Sequence, residues 1–159
     1  MSRYGLQIAR KYGEKLKTFH DVSEAQEYFL SCKERLLNEL ATICKQNSAF
    51  LPDYSIESLK KIEKWYFELY ENKEFQKLGV TKDEFESMMS VYFGEVVVKN
   101  NEDAKWIVEE YAFTKNKYEL MVNQGYCSMS IMNKCHNHDQ APSNKRRNLL
   151  FREYNKYFG

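Results

Sequence analysis

The chain has 159 residues, 43% of them hydrophobic and 30% charged, a globular balance and a length that fits one domain from 1 to 159. With 24 basic and 23 acidic residues the formal net charge is +1, so bulk charge makes no case for a nucleic acid or an anionic membrane as partner. No window approaches the roughly 18 apolar residues needed to cross a bilayer, and the Met1–Leu6 start lacks the apolar run of a signal peptide. We therefore expect a cytoplasmic protein in which Cys32, Cys44, Cys127 and Cys135 stay reduced.

The first segment, 2 to 17, is basic and moderately helical, with a patchy stripe of Leu6, Ile8, Tyr12 and Leu16. Gly5 and Gly13 weaken it, since an interior glycine costs about 1 kcal/mol against alanine. The second helix is plainer. Ser23 and Gln26 have capping-box spacing, and Ala25, Phe29, Cys32, Leu36, Leu40 and Ile43 then recur at steps of three and four. Asp21, just upstream, reads as a charge favoured by a helix N-terminus. Asn47, Ser48, Pro52 and Asp53 mark a loop.

Ser55 restarts a helix striped by Ile56, Leu59, Ile62, Tyr66 and Leu69, which Trp65, Phe67 and Tyr70 widen beyond one packing face. Gly79 is a stop, and Thr81 with Glu84 opens a fourth helix carrying Phe85, Met88, Met89, Tyr92, Phe93 and Val96. The period then changes. Residues 105–113, 117–122 and 126–132 are short, aromatic and β-branched, and separated by Thr114–Asn116 and Asn123–Gly125. The pattern predicts a three-stranded antiparallel meander. A polar loop over 133–143 leads to a final amphipathic helix over 144–157. Helices over 1–100, a sheet over 105–132 and a C-terminal helix make an α+β fold, four helices covering a small meander.

Candidate chemistry is sparse. Cys127, Cys135, His136 and His138, with Asp139, offer thiolate, imidazole and carboxylate to a metal or a thiol nucleophile, but the spacing matches no paired zinc knuckle and no nucleophile motif. The reading is a polar loop, with no metal and no cofactor. Glu109 and Glu110 are adjacent in a strand and point to opposite faces, so they cannot act together. Lys145, Arg146 and Arg147 form the densest basic run and, with the basic N-terminal segment, supply the alternative reading of a nucleic-acid-binding accessory or regulatory protein. Gly94 sits inside an apolar helix beside Glu95, which marks a junction where another element approaches.

The Phe93-Gly94-Glu95-Val96 run ending a helix, followed by a polar gap and a strand bearing Trp106, resembles small bacterial α+β domains of unknown function. Some of those are encoded beside polymorphic toxins and regarded as immunity proteins. The likeness covers 81–132 and implies a binding role without a catalytic residue. The 12 tyrosines point the same way, because Tyr suits wet interfaces. The leading expectation is thus a non-enzymatic protein-binding module, bacterial, with immunity or regulation as its role. Its partner is another protein and not a membrane, its contact residues are Trp65, Tyr66, Tyr70 and Arg147, and its oligomeric state is open.

Overall fold

The computed structural model describes residues 2–159. Helices α1 (Arg3–Lys15), α2 (Val22–Asn47), α3 (Ser58–Asn72) and α4 (Lys82–Asn100) precede strands β1 (Ala104–Glu110), β2 (Tyr118–Gln124) and β3 (Cys127–Ser130), and α5 (Leu149–Tyr157) closes the chain. Short 3-10 turns lie at Phe75–Leu78 and His138–Gln140. The strands form one antiparallel sheet in the order β1-β2-β3, the α+β arrangement read from the sequence.

The α2 stripe folds as expected, with Ala25, Phe29, Leu36, Leu40 and Ile43 buried and Cys32 half-buried at its edge. Its cap does not. Asp21, not Ser23, is the N-cap, and its carboxylate accepts the Glu24 N–H at 2.9 Å while the Glu24 carboxylate accepts the His20 N–H. The pair has the same three-residue spacing as Ser23 and Gln26, two residues earlier, and a carboxylate meets the positive helix end better than a hydroxyl does. At α4 the expected cap is present: Thr81 Oγ1 accepts the Glu84 N–H at 3.1 Å. From Phe85 to Val97 that helix is buried on nearly every side, by α2, α3 and the sheet.

One sheet face packs on α2 and α4. Ala104, Val108, Leu120 and Val122 alternate onto it, paired in register as Trp106 with Val122 and Val108 with Leu120. The other face takes α1, whose Tyr12 hydroxyl donates to Glu119 at 3.0 Å. Glycines permit both approaches. A Cβ on Gly94 would lie 2.3 Å from the Trp106 ring, and one on Gly13 would lie 2.2 Å from Thr114 Oγ1.

The last helix starts at Leu149 rather than at 144. Asn148 adopts a left-handed conformation with φ of 54° and gives no side-chain cap, so Lys145–Arg147 lies in the turn ahead of the helix.

Candidate functional site

Among the described residues two glutamates are buried, and both face the segment 133–148. Each lies inside a helical stripe. Glu63 follows Leu59 by four residues and precedes Tyr66 by three, and Glu86 precedes Met89 by three. Helix packing thus carries both carboxylates inward, where each must be met by donors or a cation.

Glu63 meets three donors. Its Oε2 lies 2.6 Å from His138 Nε2, itself buried between the rings of Tyr66 and Phe67. The Leu149 N–H donates to Oε1 at 2.6 Å and the Leu150 N–H to Oε2 at 3.4 Å. A side chain from α3 therefore caps α5, whose own N-cap residue makes no side-chain bond.

Glu86 meets three others. The Tyr66 hydroxyl donates to Oε2 at 2.6 Å and Lys82 Nζ at 3.2 Å, while the Asn137 N–H donates to Oε1 at 3.2 Å. Lys82 also reaches Asp139 at 2.6 Å. Burial lowers the Lys82 pKa, but bonds to Asp139 and Glu86 outweigh it and the pKa is raised. Burial would raise Asp139, yet the Lys82 bond prevails and holds it below the ordinary carboxylate value. Burial first, then the Glu86 bond, raises Tyr66, so its hydroxyl stays a donor. Among the described residues no buried side-chain nitrogen or oxygen lacks a partner.

Segment 133–148 is thus stapled to α3 and α4 by a polar clamp, and this decides the fate of the residues singled out in the sequence. Cys135 is fully buried, its thiol pushed up to about 12 by burial, and its backbone N–H donates to Ser90. A protonated, enclosed thiol is a poor nucleophile. His138 bonds Glu63 rather than a thiol, and Cys127 sits half-buried on β3. All four cysteines are free. Among the described residues, His136 alone of these joins a group able to hold a metal, and its companions are Asp83 and Glu86 rather than Cys127, Cys135 or His138.

The expected contact residues divide. Tyr66 is fully buried, because it occupies the centre of the α3 stripe, and it offers no surface to a partner. Trp65 is half-buried, edge-on to Phe85 at 5.3 Å and Phe50 at 6.1 Å. Tyr70 and Arg147 are exposed. At the sheet junction Gly94, Glu95 and Trp106 meet: Trp106 Nε1 donates to Glu95 Oε2 at 2.9 Å, and Lys33 Nζ lies 3.8 Å from the same carboxylate and 5.2 Å from the indole centroid.

Two open grooves flank the exposed edge of α3 and share Glu71. One, of about 730 Å³, is lined by Tyr70, Lys73, Phe75 and Lys82 among others. The second, of about 630 Å³, carries Lys60, Lys61, Lys64, Arg146 and Arg147 around Phe67. Arg146 is held there by the Ala141 and Asp139 carbonyls and stacks 5.1 Å from the Phe67 ring. Lys61, Lys64 and Arg147 enter no ion pair among the described residues. The basic residues of α1 lie elsewhere, on a helix tied to the β1–β2 end by Tyr12–Glu119 and by Tyr111, whose hydroxyl donates to the Ala9 carbonyl.

No helix of the described residues is long and apolar enough to cross a membrane. No solved structure matches the chain. An uncharacterised Bacillus subtilis (strain 168) protein, YwmA, is 30% identical over 135 residues, covering 85% of either chain. The model of the uncharacterised YwmA family matches residues 18–158, which takes in both buried glutamates, the clamp and both grooves but leaves α1 outside. The chain belongs to the YwmA family, a family of small bacterial proteins of unknown function.

Proposed function

We propose that the chain is a non-enzymatic module of the cytoplasm that binds another protein along the exposed edge of α3. The observation that carries this reading is the paired groove. Phe67 and Tyr70 supply aromatic surface, and Lys61, Lys64 and Arg147 supply cations that no internal carboxylate satisfies. Aromatic anchors beside unpaired basic groups suit a partner segment that is acidic and partly apolar. One wall of the second groove is held by the Glu63 clamp, which lowers the cost of ordering the backbone there at binding. A toxin neutralised by an immunity protein, or a regulated enzyme, is the kind of partner this surface would serve.

The ionisable groups that converge nearby support a binding role over catalysis, since Glu63, Tyr66 and His138 are engaged in holding segment 133–148. The test is photo-crosslinking from position 64 in the source cell, repeated with Lys61→Glu and Arg147→Glu present. A crosslinked protein with an acidic contact segment, lost on charge reversal, supports the reading. A crosslinked nucleic acid would replace it with the polyanion alternative. Products unchanged by charge reversal would refute both.

A further inference from the structure

We propose that Asp83, Glu86 and His136 form a binding site for a first-row divalent metal ion of the zinc type. One ligand atom from each lies within 4.8 Å of the others. Zinc holds nitrogen and oxygen ligands at about 2.0–2.2 Å, which sets ligand atoms a little over 3 Å apart. The remaining distance is small, and the two side chains that must close it, Asp83 and His136, are the exposed ones with room to move.

The third ligand is already fixed. Glu86 is buried, and its Oε2 is occupied by the Tyr66 hydroxyl and by Lys82. Oε1 takes a single bond, from the Asn137 N–H, and keeps a lone pair free. That N–H belongs to the residue after His136, so the bond that orients the carboxylate also places the imidazole beside it. Tyr66, Lys82 and Asn137 would be the outer groups that aim a metal-binding carboxylate. Asp83 and Glu86 stand three residues apart in the first turns of α4, on one helix face.

Charge favours a dication. Asp83 and Glu86 carry two negative charges within this cluster, and Lys82 beside Glu86 is itself offset by Asp139 at 2.6 Å. The positive end of α4 opposes a cation here, but it is a partial charge facing two full ones. The donor set, one imidazole with two carboxylates, prefers zinc, cobalt or nickel over magnesium, which favours oxygen alone. The proposal stands apart from the partner reading: the ion would bind at the loop–α4 seam whatever occupies the grooves.

The test is calorimetric titration of the full chain, free of any affinity tag, with zinc chloride, and with cobalt chloride followed by its visible absorption. We expect one equivalent bound, not displaced by millimolar magnesium. His136→Ala and Asp83→Ala should each weaken it at least tenfold, with the metal-free melting temperature unchanged for His136→Ala and only slightly lowered for Asp83→Ala, which removes a first-turn carboxylate of α4. Both residues are exposed, so both variants fold. Cys127→Ser should leave binding intact. Absence of saturable binding would overturn the proposal. So would binding that survives both His136→Ala and Asp83→Ala, or binding lost only with Cys127→Ser.

Discussion

Replacing Glu63 by alanine is the sharpest test of the clamp. The substitution strips the buried His138 imidazole of its 2.6 Å partner and the half-buried Leu149 amide of its acceptor. A buried donor left without its acceptor costs about 1–3 kcal/mol, toward the upper end where the lost acceptor is a carboxylate. The α5 amide adds part of the roughly 1–3 kcal/mol of an unmet buried donor, reduced because Leu149 is only half-buried and recovers some water. With about 3 kcal/mol at His138 and about 1 at the amide, the expected loss is about 4 kcal/mol, a fall in melting temperature of about 8–16 °C at this chain length. Glu63→Gln keeps an acceptor and should lose less, about 1–3 kcal/mol. Urea unfolding of the two variants, with His138→Ala and the double variant to complete a cycle, reads the loss and the coupling. A Glu63→Ala protein within about 1 kcal/mol of wild type, at unchanged denaturant slope, would refute the assignment of Glu63 as the buried anchor of α5.

Other consequences can be checked with the same material. Gly94→Ala forces a methyl group to 2.3 Å from a packed indole and should cost about 1–3 kcal/mol by denaturation. Lys82→Met should cost about 1–3 kcal/mol near neutral pH. The Asp139 pKa is depressed, so its share is present above the ordinary value near 3.9 and vanishes as pH falls through the lower folded value. The Lys82 pKa is raised, so its share is present below about 10.4 and vanishes as pH climbs through the higher folded value. The gap between wild type and Lys82→Met should thus be flat through neutrality and narrow at both extremes. A thiol reagent at pH 8 should react at Cys32 and Cys127, which are half-buried, and reach Cys44 and Cys135 only after denaturation, because burial pushes both of those thiols up to about 12.

Local chemistry made much of this molecule readable in advance. The α2 stripe, the Thr81 cap and the Gly94–Trp106 approach each depend on residues a few positions apart or on a glycine with a steric reason to be there. The buried glutamates were less visible. In α3 the carboxylate at 63 falls in line with Leu59 and Tyr66, and the wide apolar face of that helix already implied cover on more than one side. In α4 the burial of nearly every residue from Phe85 to Val97 leaves no exit for Glu86. Both were therefore detectable as carboxylates with nowhere to go. Their partners were not, since His138 lies 75 residues from Glu63 and Asn137 51 from Glu86, and no periodicity reports a contact of that range. Tyr66 failed as a contact residue for a nearer reason: the spacing already placed it within the stripe of Leu59, Ile62 and Leu69, and only Tyr70, at the rim, kept surface to offer.

The clamp also sets what the outer surface can do. A helix of 9 residues is marginal by itself, and α5 brings no cap of its own. It stays in place because Glu63 takes its first amides and because Leu150, Tyr154 and Phe158 bury against the core. The same carboxylate fixes His138, and Arg146 then reaches back to the carbonyls of Asp139 and Ala141. Arg147 is the next residue along. Arg146 and Arg147, the cations that segment 133–148 brings to the second groove, therefore hang from one buried side chain on α3, while Lys60, Lys61 and Lys64 stand on that helix itself, so the stability of the core and this part of the proposed contact surface rest on the same set of bonds.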